Sequence, residues 1–161
     1  TGIDPDKDKH VIRKIEMSAN PLIVTTIAGV VGTYGTQDRP TPRNSAFDYA
    51  LFNQPVALAC GPAVPTRREA DSPLDPVGED SPTHTLYVVD RASHLIRQIE
   101  LDTFRVTTLV GSPYRAGAIE GIGSGAGTNG PSGIASSGSL EAGNHKLWIV
   151  DYFENVVRTI Q

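Results

Sequence analysis

The sequence predicts an all-β chain of repeated four-stranded antiparallel units, the blades of a β-propeller, and three observations predict it. A ten-residue pattern, Asp-x-x-x-His/Asn-aliphatic-aliphatic-Arg-x-Ile, stands at residues 6–15 (DKDKHVIRKI), 90–99 (DRASHLIRQI) and 151–160 (DYFENVVRTI). Self-similarity on this scale marks a repeat architecture. Other segments recur in the same order around it: VTTIAG (24–29) with VTTLVG (106–111), PVALA (55–59) with PSGIA (131–135), LYVVD (86–90) with LWIVD (147–151). Finally, Gly and Pro make up 28 of 161 residues, above the average share of about 12%, as a turn-dense β chain requires.

Nine strands follow, each a short run rich in β-branched or aromatic residues and bounded by turn formers. Residues 11–16 and 22–28 are the last two strands of a first unit, whose visible part is 1–29. Residues 56–60, 85–89, 95–101 and 105–110 make a complete second unit within 55–111. Residues 133–136, 146–150 and 156–160 begin a third, within 131–161. Four strands per unit is the blade signature. The three units form one partial propeller, 1–161, an open arc and not a closed ring.

The spacing supports this register. Arg13 to Arg97 is 84 residues and Arg97 to Arg158 is 61, yet the step from strand-ending Asp to the next Arg is 7 in each unit. Most of the difference lies between Pro55 and Asp90, where residues 61–84 hold five prolines and no alternation. They read as a surface insert; a doubled loop length costs only about 0.6 kcal/mol. Its five acidic residues (Glu69, Asp71, Asp75, Glu79, Asp80) against Arg67 and Arg68 predict an extended loop that is mobile or ordered by a partner. It should emerge on the same side as residues 136–145.

These segments resemble the repeats of NHL-type β-propellers. That family's units run as a Pro-x-Gly-Ile-Ala inner strand, a strand ending in Val-x-Asp, an Asn/His-aliphatic-Ile-Arg strand, and a Thr-Thr-Leu-x-Gly outer strand. The resemblance covers nearly the whole chain. It is specific at residues 86–111, 131–135 and 147–158, and weaker at 55–59, where Ala57 replaces the expected Gly. It implies an interaction scaffold in most relatives, RNA binding in some, and metal-dependent lyase or lactonase chemistry in others.

Composition narrows these. The chain carries a net charge of −4 and its longest basic run is Arg67–Arg68, so it lacks the electrostatic footprint of a nucleic-acid or anionic-membrane surface. One cysteine forbids an internal disulfide; Cys60, at an inner-strand position, is expected to be a small buried apolar residue. No apolar run is long enough to span a membrane. Compartment is not legible.

Each candidate for chemistry has a structural explanation. The glycine-rich run GAIEGIGSGAG (117–127) lacks the Lys-Ser/Thr and GxGxxG spacing of a phosphate loop and leads into a strand, so it reads as a connection needing positive-φ turns. His84 and His145 each precede a strand-ending Asp by six residues, and His10 and His94 follow one by four, with Asn155 in the third copy. Such repeat-equivalent positions serve the blade as turn or edge hydrogen-bonders; a zinc site needs three or four ligands converging on one point. The inner-strand entries offer Asn53, Asn129 and Ser132 but no His. Asp6, Asp90 and Asp151 are expected to lock turns by accepting amides two or three residues on. Arg13, Arg97 and Arg158 belong on the outer half of the blade, between blades. No Gly-x-Ser-x-Gly elbow is present, and no Ser or Cys has an obvious His partner in sequence. Leu86, Tyr87, Val88, Leu147, Trp148 and Ile149 should fill the spaces between blades, whereas Tyr34, Tyr49, Tyr114 or Tyr152 could anchor a partner.

The sequence therefore predicts no catalytic, cofactor-binding or metal-ligating residue, no enzyme activity and no small-molecule substrate. The expected role is a protein–protein interaction scaffold, a module or subunit of a larger assembly. The alternative is an arc of a metal-dependent propeller hydrolase or lyase whose ligands lie mainly outside this segment. Either further blades of a longer chain or protein partners must cover the arc's two ends, since covering about 500 Å² of apolar face contributes on the order of 12 kcal/mol.

Overall fold

The computed structural model describes residues 10–39, 49–62, 84–113, 115–139 and 143–160. Among them, nine strands form three separate antiparallel sheets. The first pairs β1 (Val11–Glu16) with β2 (Ile23–Gly29). The second orders β3 (Pro55–Cys60), β4 (Thr85–Asp90), β5 (Leu95–Glu100) and β6 (Val106–Val110). The third orders β7 (Pro131–Ser137), β8 (Lys146–Asp151) and β9 (Val156–Ile160). All nine expected strands are present, and the only helical pieces are 3₁₀ turns at Arg91–Ser93 and Gly123–Gly125. The three sheets stay separate, and no closed ring forms among the described residues. The expected turn-locking Asp6, most of the insert (63–83) and Tyr114 lie outside the described residues.

Register repeats as well as sequence. β1 meets β2 with Arg13 opposite Thr26, and β5 meets β6 with Arg97 opposite Thr108; in both, a β-bulge falls immediately before the Arg, between Ile12 and Arg13 and between Ile96 and Arg97. The inner pairs repeat likewise, Pro55 opposite Asp90 and Pro131 opposite Asp151, each with a bulge just after the Pro. A bulge adds local twist and re-aims the next side chain, so the same irregularity at the same place turns equivalent residues the same way.

The glycine that closes each Val-Thr-Thr strand has a specific cause. Gly29 and Gly111 have φ of +92° and +101°, and a Cβ on either would run into the backbone carbonyl of His10 or His94 respectively.

The core lies between sheets. One cluster joins Ile12 and Ala28 of the first sheet to Val88, Ile99 and Val106 of the second. The other joins Val89, Ile96 and Val110 of the second to Ile149 of the third. Strand alternation decides the rest: Leu147 and Ile149 face the second sheet and are buried, while Trp148 and Val150 face the other way and are each 44% exposed. Trp148 was expected between sheets; it lies on the outer face of the third sheet, with its indole N–H donating to Ser137 Oγ at 3.1 Å. Cys60 is also exposed, contrary to expectation. It shares the outward side of β3 with Val56 and Leu58, 47% and 50% exposed.

A further correction concerns the connection between the first two sheets. It was left without structure in the sequence reading, yet residues 35–39 and 49–52 fold into a hairpin-like wedge. Gly35 N–H donates to Phe52 O and Leu51 N–H to Gln37 O, both at 3.0 Å. The wedge sinks Ala50 and Phe52 into the first core cluster, and Arg39 exchanges two backbone hydrogen bonds with Val106 of β6, each 2.8 Å.

Candidate functional site: the sheet junctions

The repeating Asp, Arg and His residues converge where one sheet meets the next. Asp90 is fully buried, and its Oδ1 accepts the backbone N–H of Asn53 at 2.6 Å; Asp151 Oδ1 accepts that of Asn129 at 2.8 Å. The expected partners were amides two or three residues on. The amides bound instead lie 37 and 22 residues earlier, because the antiparallel pairing of inner strands brings the chain entering each sheet back against the Asp that ends the next strand.

Arg97, wholly buried, is the hub of the first junction. Its guanidinium donates to Gln37 O at 2.8 Å and Leu51 O at 3.0 Å, pairs with Asp38 at 2.8 Å and Asp90 at 3.3 Å, and sits over the Phe52 ring at 5.1 Å. Asp38 is held in turn by Thr108 of β6, whose N–H and hydroxyl both donate to it. Two carboxylates share one guanidinium, so one negative charge is left over, and the fully buried carboxyl bears the larger desolvation cost. Burial accordingly pushes Asp90 up to about 6, against the pull of the Asn53 amide and of Arg97. Burial also raises Asp151, against the Asn129 amide.

The histidines act between sheets, a role finer than the edge hydrogen-bonder expected. His10 Nδ1 accepts Gln54 N–H at 3.1 Å, and His94 Nδ1 accepts Gly130 N–H at 3.0 Å. Both donors are positive-φ residues immediately before an inner strand, at +58° and +64°. An Nδ1 acceptor carries its proton on Nε2. Thr128 hydroxyl adds a bond to His94 O at 2.9 Å, and Tyr34 packs its ring 5.7 Å from His10.

The glycine-rich run is the second junction's wedge. Gly117 N–H donates to Thr128 O and Gly127 N–H to Ile119 O, matching Gly35 to Phe52 and Leu51 to Gln37. Glu120 thereby stands where Asp38 stands, and Arg158 where Arg97 stands. The correspondence GTQD with GAIE was hidden because only Gly and an acid are shared. Yet the second clamp is half made: Arg158 donates to Ile119 O at 2.9 Å, Glu120 is 3.9 Å away and 98% exposed, and buried Asp151 Oδ2 has no partner.

Sequence reasoning also missed a Ser–His contact. Ser136 Oγ lies 3.0 Å from His145 Nε2, and the His145 ring stacks on Tyr87 at 5.7 Å. This joins the loop-side ends of the β3–β4 and β7–β8 hairpins, as expected for inserts emerging together. Tyr49 and Tyr152 are exposed, Tyr152 beneath the Arg91 guanidinium and edge-on to Phe153. Among the described residues no three His, Cys, Asp or Glu side chains group to hold a metal ion, and no helix is long and apolar enough to cross a membrane.

No protein-family model matches the chain, and no curated protein is significantly similar. Solved structures do match. An auxiliary nutrient binding protein from Bacteroides thetaiotaomicron superposes with a TM-score of 0.64 at 20% identity, over 96% of this chain and 33% of its own. Its counterpart from Bacteroides ovatus gives the same values. A Bacteroides thetaiotaomicron protein of unknown function matches at 0.64 and 20%, over 95% of this chain and 30% of its own. At such identity the likeness is one of fold. The chain spans about a third of the length of the solved structures it matches.

Proposed function

We propose that this chain is a non-enzymatic interaction module, an arc of an NHL-type β-propeller whose ends dock protein: further blades or partner subunits. The observation that carries this reading is where apolar surface is left uncovered. At one end Val56 and Leu58 line an open groove of about 370 Å³ with Val11, Ile12 and Arg13, and at the other Trp148, Val150, Val156 and Val157 are exposed. The residues that could suggest catalysis are engaged instead in holding sheets together: Asp90 and Arg97 in the clamp, His10 and His94 as acceptors of backbone amides. A binding role is also the one named for two of the matched Bacteroides proteins.

The test is the solution state of residues 1–161, with charge placed at the two ends by Leu58→Lys and Val150→Lys. The unmodified chain should self-associate or precipitate, and the doubly substituted chain should move toward monomer. A soluble, unmodified monomer with a sharp unfolding transition would overturn the reading.

A further inference from the structure

We propose that the free edge of β9 is a receptor for one more antiparallel strand of Val-Thr-Thr-aliphatic type, with a threonine opposite Arg158. This deepens the interaction reading above and rests on it. The warrant is internal: the chain contains the same strand twice with that edge filled and once without.

In both filled cases a threonine faces the repeat Arg, Thr26 opposite Arg13 and Thr108 opposite Arg97, just after a one-residue bulge. In the second sheet that threonine completes the clamp. Thr108 N–H at 3.0 Å and its hydroxyl at 2.8 Å hold Asp38, which fixes Asp38 on Arg97 at 2.8 Å while Arg97 reaches Asp90. In the third sheet β9 pairs only with β8 among the described residues, and every consequence of the missing threonine is visible. Glu120 points into solvent at 3.9 Å from Arg158, and the buried Asp151 Oδ2 lacks a partner. Val156 and Val157 stand 42% and 65% exposed. A buried carboxylate oxygen without a donor is expensive, and a bare strand edge invites pairing. One strand relieves both: its threonine would draw Glu120 onto Arg158, cover the guanidinium and turn it toward Asp151.

A second copy of this chain is a poor donor, because β2 and β6, its two Val-Thr-Thr strands, are already paired in their own sheets. The occupant is therefore a strand from outside residues 1–161, in keeping with matched structures about three times as long. Its register follows from the filled pair: threonine opposite Arg158, a second threonine opposite Thr159, an aliphatic opposite Ile160, and a bulge between Val157 and Arg158.

The experiment appends the chain's own β5–β6 turn and outer strand (LDTFRVTTLVG) after Gln161. Three versions are compared: the native strand, one with valine at the threonine facing Arg158, and one of scrambled order. The native strand should raise the unfolding midpoint by about 5 °C or more and slow amide hydrogen exchange along β9. The valine version should lose about half the gain, and Glu120→Ala should matter only when the native strand is present. Equal effects of native and scrambled strands, or no protection of β9, would overturn the inference. If the unmodified chain nonetheless self-associates, the interaction reading survives that failure; if it is a sharply melting monomer, both fall.

Discussion

Asp90 and His94 show how single residues hold sheets together. The Asp90 carboxyl rises from its ordinary 3.8 to about 6 in the fold. The folded state therefore holds the proton more tightly, so Asp90's contribution to stability is complete below pH 4 and is lost as pH rises through 6. At 1.36 kcal/mol per unit the loss is about 3 kcal/mol. Urea midpoints measured between pH 4 and 7 should fall across that window, and Asp90→Asn should flatten the profile. His94 adopts φ of +58° and Asn155, its counterpart, +55°. Asn tolerates this left-handed conformation, and its Oδ1 occupies much the place of the imidazole Nδ1. His94→Asn should therefore be nearly neutral. His94→Ala strands the Gly130 amide and should cost about 2 kcal/mol, read from the same midpoints.

Among elements, the informative comparison is between the two inter-sheet wedges. Asp38 bridges Arg97 and Thr108, so Asp38→Ala breaks three polar contacts around a buried guanidinium and should cost about 1–3 kcal/mol. Glu120 occupies the same place in the second wedge but is 98% exposed at 3.9 Å from its Arg, the kind of pair whose net worth is near zero. Glu120→Ala should leave thermal unfolding unchanged within error. An equal effect of the two substitutions would mean that the wedges are not equivalent as the backbone bonds indicate.

For the whole molecule, stability should depend on what covers its ends. Purified residues 1–161, dialysed and analysed for metals, should hold no stoichiometric zinc or calcium, since His10 and His94 each offer Nδ1 to a backbone amide and are far from converging with other ligands. Metal that survives dialysis and is lost on replacing any of His10, His84, His94 or His145 would contradict this and revive the alternative of a hydrolase or lyase arc.

Strands were legible because they rest on local signals: β-branched runs, turn residues and a repeat that returns the same pattern three times. The repeat also marked Asp90, Arg97 and His94 as important, since the fold reuses the same solution at each junction. What they touch was not legible. Asn53 and Gly130 reach their partners across 37 and 36 residues, a closeness created only when strands pair. The wedge carrying Asp38 and Phe52 has no strand pattern of its own; it is ordered by the guanidinium and the core it covers. Nor could alternation alone say that Trp148 and Cys60 would be exposed. A strand's two faces are set by its residues, but which of them meets a neighbour is decided by the sheets on either side, and those are properties of the assembled molecule.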